Sequence, residues 1–220
     1  STQAHHDLAL FFLNNGIHVN VEKPLAATAN QAEAIVKLAR SKNLKVAVGH
    51  IERFNPYLVG LKKLMKKPMH INLQRRASFK MRGADVSVLH DLMIHDIDLM
   101  YWLTDSDVDT YEFNHTSIVT NESDIASLEM RLKNGTNVSI FVSRVAPVMV
   151  RSAEVLEQGR LLVANSVEGR LYELTKDPET ALTLKTIEHP IDKADALQLE
   201  ENSFVNALIE DKDPVVTGED

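Results

Sequence analysis

Between Thr110 and His189 short polar turns cut the chain into a succession of strand-like runs, and this succession limits the fold more than any other feature. The runs cover 110–119, 125–132, 137–145, 151–157, 159–165, 169–175 and 182–189, with another at 70–79 ahead of them. Runs joined by tight turns build antiparallel pairs, because parallel neighbours need a long crossover. Lys133-Asn134-Gly135-Thr136 marks one hairpin, where Asn-Gly would supply the positive φ of a type I′ turn. Gln158-Gly159 and Glu168-Gly169 read as two more. An open, largely antiparallel sheet with a helix packed on one face is expected.

That helix is Leu89–Leu103, LHDLMIHDIDLMYWL. Asp91, His95, Asp98 and Trp102 recur at helical spacing and share a face, while Leu92, Leu99 and Leu103 form an adjoining stripe that can anchor it. A carboxylate one turn from an imidazole can orient the ring and raise its basicity, leaving the other nitrogen to handle a substrate proton. A plainer reading is a solvated charged face with a structural histidine. A third is a metal site on His90, Asp91, His95 and Asp96. His90 and Asp96 point off the 91/95 face, and neither HExxH nor a cysteine pair is present, so no metal is expected.

The first fifty residues follow a different pattern. A helix over 5–15 ends at Gly16, and 17–21 reads as a buried strand. Thr28 and Gln31 form a capping box for a helix to Lys42, with Ala32, Ile35, Val36 and Ala39 inward, and 44–49 is a second strand. Strand, helix and strand at this spacing form a βαβ unit with a parallel pair. Ligands gather at the carboxyl ends of such strands, where Glu22-Lys23-Pro24 and His50–Pro56 (HIERFNP) lie. Pro24 stiffens the backbone beside Lys23. By itself Glu-Lys-Pro is also what a surface strand end looks like.

Two further helices are expected, 57–67 with Leu58, Leu61 and Leu64 inward and 196–211 with Leu199, Phe204, Leu208 and Ile209 inward. The expected fold class is therefore α/β plus α+β. A partial Rossmann (parallel βαβ) segment, 1–52, would precede a 53–220 domain holding the open sheet, the packed central helix and a C-terminal helix.

Bulk properties narrow the function. A net charge of −7 with no basic run argues against nucleic acid or an anionic membrane surface as partner. The absence of cysteine excludes disulfides and thiolate chemistry and favours a reducing compartment. With no signal-peptide pattern and no apolar run long enough for a bilayer, a cytoplasmic location is expected. Ser1 opens inside a helical pattern and the chain ends at VVTGED, so both ends read as cut from something longer.

Taken together, IHVNVEKPLA, VAVGHIERFNP and DLMIHDIDLMYWL resemble the glucose–fructose oxidoreductase/inositol dehydrogenase (Gfo/Idh/MocA) family, nearly end to end and including the closing DPVVTGED. The resemblance implies an NAD- or NADP-dependent oxidoreductase that moves a hydride between nicotinamide and a secondary hydroxyl of a sugar or nucleotide-sugar. It puts the family's Glu-Lys-Pro, on the cofactor side, at Glu22, Lys23 and Pro24, and its Asp-x-x-x-His at Asp91 and His95. His95 would take the hydroxyl proton, Asp91 orient the ring, Lys23 hydrogen-bond the same oxygen, and Glu22 lie near the nicotinamide ribose. Arg53 and Asn55, with Lys80 and Arg82 on the following loop, are candidates for substrate or cofactor phosphate. A plain salt bridge is the alternative for Arg53.

Two departures from the family pattern matter. Met93 stands where the family has glycine, and the glycine-rich dinucleotide loop is not in these 220 residues, so the chain alone is expected to bind dinucleotide poorly. DLMIHDID with GHIERFNP looks like the branch acting on nucleotide-activated sugars, such as UDP-N-acetylglucosamine 3-dehydrogenases. A homo-oligomer formed through the open sheet is expected. The competing classes are a non-enzymatic sugar-binding or assembly module that keeps the fold, and a metal-dependent hydrolase on His90, Asp91 and His95.

Overall fold

A computed structural model describes residues 2–81, 83, 86–180 and 182–220. In chain order the elements are α1 (Thr2–Asn14), β1 (Val19–Glu22), α2 (Ala29–Ser41), β2 (Val46–Gly49), a 3₁₀ turn (Ile51–Phe54) and α3 (Pro56–Leu64). There follow β3 (His70–Arg76), a π-helical turn (Leu89–Met93), α4 (Ile94–Thr104), β4 (Val108–Thr116), β5 (Ile125–Leu132) and β6 (Asn137–Ser143). The rest comprises β7 (Val150–Glu157), β8 (Arg160–Asn165), β9 (Arg170–Lys176), β10 (Leu184–Glu188) and α5 (Ala196–Ile209). Among the described residues, no helix is long and apolar enough to cross a membrane.

Two compact units result: Ser1–Phe54 with Ala194–Asp220, and Asn55–Lys193. The C-terminal segment, expected in the second domain, therefore belongs with the first. Packing and pairing both explain this. Val216 is buried among Ala9, Leu13, Val19, Ile35, Val46 and Val48. Thr217 bridges Ala47 in antiparallel fashion, and the Val48 amide donates to the Val216 carbonyl at 3.4 Å.

In the first unit β1 and β2 pair in parallel, Val19 opposite Val46 through Glu22 opposite Gly49. The Thr28 hydroxyl caps α2 by accepting from the Gln31 amide at 3.3 Å. Ile35 and Ala39 are buried as their spacing requires. Helix α5 departs from expectation: Leu199 and Ile209 are exposed, Phe204 and Leu208 are partly buried, and the buried positions are Glu200 and Ala207. Glu200 accepts from Asn20 Nδ2 at 3.4 Å. Burial and the nearby charge of Glu22 together push its carboxyl above the ordinary range, against the Asn20 hydrogen bond.

In the second unit eight strands form one sheet in the order β10-β9-β8-β7-β3-β6-β5-β4. All neighbours are antiparallel except β3 and β6. Ile71, Leu73 and Arg75 of β3 alternate onto one face, where Leu58 and Leu61 of α3 and Met93, Leu99, Met100 and Leu103 of the central helix pack with the sheet in a single core. The hairpin at 132–137 is not type I′. Positive φ falls on Gly135 (+90°) and not on Asn134, and the Gly135 amide donates to the Leu132 carbonyl at 2.9 Å. That is a type I turn followed by a glycine bulge.

Candidate active site

On the first unit, the carboxyl ends of β1 and β2 present Glu22-Lys23-Pro24 and Gly49-His50. Glu22 is exposed, Lys23 and Pro24 are partly buried, and the Lys23–Pro24 peptide is cis. A Cβ added at Gly49 would stand 3.2 Å from Glu22 Oε2 and 3.3 Å from Glu22 Cα, so glycine lets the two strand ends approach closely. A solvent-facing carboxylate at such a strand end accepts hydrogen bonds from vicinal hydroxyls, and Lys23 is a cation one residue on. This donor and acceptor set fits the ribose and nicotinamide end of a dinucleotide. His5, on α1, completes the group: its Nδ1 lies 2.9 Å from the Pro24 carbonyl oxygen.

Just beyond, His50, Glu52 and Arg53 are buried. Arg53 forms the salt bridge that was the alternative to phosphate binding, its Nη1 donating to Asp220 Oδ1 at 3.0 Å. Burial opposes ionisation of Asp220, but hydrogen bonds from the Thr217 amide and hydroxyl and the Arg53 charge hold its carboxyl below the usual range. Asn55, in the second unit, caps α3 by accepting from the Tyr57 amide at 3.1 Å and donates to Ser166 Oγ at 3.0 Å.

On the second unit the expected acid/base residues lie at the start of the central helix. Asp91 lies in the π-helical turn, and His95 is the second residue of α4; both are partly buried. A single π turn inside a helix is locally wider than the α form and recurs at functional sites. His90 is exposed. Asp96 is committed elsewhere: its carboxylate takes a bidentate pair of 3.0 Å hydrogen bonds from Arg75 Nε and Nη2. Both side chains are nearly dry, 8% and 4% exposed. Sequence reading missed this pair, although a visible signal existed: Arg75 occupies the apolar phase of β3 and needs an anion there. Among the described residues, no three His, Asp or Glu side chains gather as a metal-ion site.

The pair sets the helix against the sheet. Asp96 faces the core on β3, so His95, one residue earlier and about 100° around the axis, is turned away from that direction. At the other end, Lys62 Nζ of α3 donates to the Trp102 carbonyl at 2.6 Å and sits 4.3 Å from the Trp102 ring centroid. A cation there also complements the negative end of the helix dipole.

The loop ahead of the helix has its own anchor. Arg144 donates to the Gly83 carbonyl at 2.8 Å and, through Nη2, to the Val86 carbonyl. A Cβ at Gly83 would lie 3.7 Å from Asp91 Oδ2, so Gly83 itself lies beside Asp91. Behind Arg144, Asp124 is fully buried and accepts from the amides of Ile118, Val119 and Thr120 and from the Thr120 hydroxyl. Burial alone would raise its pKa; those four donors outweigh it and hold the carboxyl far below the ordinary value. A carboxyl with a depressed native pKa stabilises the fold above its unfolded-state value and loses that contribution as pH falls. Urea unfolding of the natural protein is therefore expected to weaken as pH drops below about 4. Asp124→Asn should be less stable at pH 7 and show a flatter decline; equal slopes for the two proteins would contradict the assignment.

Of the expected substrate residues, Lys80 is exposed and Arg82 lies outside the described residues.

Comparison with known proteins gives two successive family matches. Residues 1–50 match the Gfo/Idh/MocA oxidoreductase family, NAD-binding Rossmann fold, and residues 66–161 match the Gfo/Idh/MocA C-terminal domain. UDP-N-acetylglucosamine 3-dehydrogenase of Acidithiobacillus ferrooxidans is 30% identical over 211 residues, covering 94% of this chain and 67% of that protein. Its solved structure covers 99% of this chain and 70% of its own, with a TM-score of 0.91 at 28% identity. Inositol 2-dehydrogenase of Salmonella paratyphi B is 31% identical over 157 residues, 64% of this chain and 45% of that enzyme. The chain thus spans about two thirds of the first relative's length and less than half of the second's. With both family domains matched in order and one relative similar along almost the whole chain, the protein belongs to the Gfo/Idh/MocA oxidoreductase family.

Proposed function

We propose that the protein is an NAD(P)-dependent dehydrogenase acting on a secondary hydroxyl of a sugar, and specifically of a nucleotide-sugar. Supporting the nucleotide-sugar reading is the identity kept along nearly the whole chain: the UDP-N-acetylglucosamine enzyme is 30% identical over 94% of it, an inositol dehydrogenase of Lacticaseibacillus casei 26% over 96%. The observation that carries the enzymatic reading is the placement of Asp91 and His95 four residues apart at the head of a helix that Arg75–Asp96 and Lys62 anchor. A merely sugar-binding module has no need of a carboxylate and an imidazole so placed.

In the proposed mechanism Glu22 holds the ribose of the dinucleotide, whose nicotinamide, when bound, supplies the hydride acceptor or donor. His95 accepts the proton of the carbinol hydroxyl as that carbon is oxidised, and Asp91 orients the imidazole. Lys23 donates a hydrogen bond to the carbinol oxygen and stabilises the negative charge that grows on it. In the reverse direction His95 returns the proton. Arg53, Asn55 and Arg82 belong to the proposed substrate side, Arg53 while also paired with Asp220. A cysteine-free chain working with a nicotinamide cofactor fits the reducing cytoplasm. The outer sheet face, where Arg76 lies 4.8 Å from the Phe141 ring centroid and Arg170 lies 5.0 Å from that of Tyr172, is proposed as the contact of a homo-oligomer.

The test follows reduced-nicotinamide absorbance with the full-length protein, offering UDP-sugars, free sugars and inositols with each cofactor in turn. Turnover fastest on a UDP-sugar and unaffected by a chelator is expected. Binding of the sugar by calorimetry without turnover would establish the non-enzymatic alternative, and chelator-sensitive hydrolysis the metal-dependent one. Light scattering on the same preparation checks the assembly, and a strictly monomeric mass would remove it.

A further inference from the structure

Lys23 is one residue past the end of β1, and its backbone hangs between two fixed points. Upstream, Glu22 is registered opposite Gly49 in the parallel pair. Downstream, the Pro24 carbonyl oxygen is held at 2.9 Å by Nδ1 of His5, nineteen residues earlier on α1. A carbonyl oxygen only accepts, so Nδ1 carries the hydrogen and His5 is the donor. Leu25 and Ala26 then enter the core. Their burial fixes how deep the segment sits, but apolar contact is non-directional and does not set the tilt of the Pro24 peptide plane. A hydrogen bond to the carbonyl does. That plane governs where the preceding residue aims its side chain, because only two soft backbone torsions separate them.

We infer that His5 is a positioning residue for Lys23: through the Pro24 carbonyl it fixes the direction in which the Lys23 ammonium is presented. It touches neither substrate nor cofactor. The inference rests on the proposed role of Lys23 in the dehydrogenase reaction. Its sequence signal is slight, since His5 stands next to His6 in a helix that offers no other polar pattern, and only the folded arrangement of α1 against the β1 end shows what it holds.

The test is steady-state kinetics on the full-length protein with the nucleotide-sugar that it turns over. His5→Ala is expected to lower kcat by about 10-fold to 100-fold, the scale on which small misplacements act, with KM for both substrates little changed. His5→Asn places an amide N–H close to the position of Nδ1, and is expected to recover most of the lost kcat. In a Lys23→Ala background, His5→Ala is expected to add no further loss, because the group it positions is gone. Should His5→Ala lower the melting temperature, the Asn variant, which keeps the bond, still supplies the comparison.

An unchanged kcat in His5→Ala would overturn the inference. So would failure of asparagine to restore it, or losses that multiply in the double variant. If Lys23→Ala itself leaves turnover intact, the fault lies with the assigned role of Lys23. If Lys23→Ala abolishes turnover and His5→Ala is silent, only the positioning role falls.

Discussion

Alanine at Lys23 or at His95 in the full-length protein is expected to reduce kcat by about 10²–10⁴, with little change in melting temperature. The magnitude is that of losing one positioned proton-transfer group or one preorganised donor to a developing oxyanion. Stability should barely respond, because neither side chain belongs to either apolar core and both are only partly buried. The two variants should also differ in kind. Without His95 the hydroxyl proton must pass to hydroxide, so in place of an acid limb that levels off the rate should rise with hydroxide concentration throughout. Lys23→Ala should keep that limb at a lower plateau. Near-normal turnover by both would remove the assignment; a pH profile unchanged in His95→Ala would move the base elsewhere.

The second large effect is on stability. Asp96→Ala takes from the buried Arg75 guanidinium the carboxylate that accepts its two 3.0 Å hydrogen bonds. Breaking one side of a buried pair costs about 3–5 kcal/mol, whereas replacing both members by apolar residues of similar size is often neutral. Asp96→Ala is therefore expected to lower the urea midpoint sharply, and Arg75→Met with Asp96→Leu to regain most of the loss. If the double variant is as unstable as the single one, the cost comes from packing and not from the lost counter-charge. The apolar pair would also lack the bidentate geometry that fixes helix rotation, so its turnover should stay depressed even where its stability returns.

The architecture was readable because burial imposes a period on the chain. Ala126, Leu128, Met130 and Leu132 alternate along β5, and Ile35 and Ala39 are one turn apart on α2; both patterns survive unchanged in the fold. What escaped reading depends on partners distant in sequence. Asp96 looked like a candidate ligand until β3, twenty-one residues earlier, supplied Arg75. Asn-Gly at 134–135 carried a strong turn preference, yet the hairpin closes with the bulge on Gly135. Helix α5 misled for a related reason, since its apolar residues do not mark its buried face: Ile209 is 76% exposed while Glu200 is 6% exposed. At the site, Glu-Lys-Pro and Asp-x-x-x-His could be picked out as residue types, but the anchors around them, His5, Arg75 and Arg144, are single residues whose roles arise only through folded contacts.

The return of residues 194–220 to the first unit also shapes biogenesis. Residues 55–193 are contiguous and can condense as soon as they leave the ribosome. The parallel β1–β2 pair must instead wait for Val216 and Thr217, which lie beyond the whole of the second unit in the chain and pack on and bridge that pair. Between those moments the early segment displays an unfinished strand edge, which is a template for mispairing. The first unit is thus the natural client for a chaperone during synthesis, because its two segments are separated by the whole of the second.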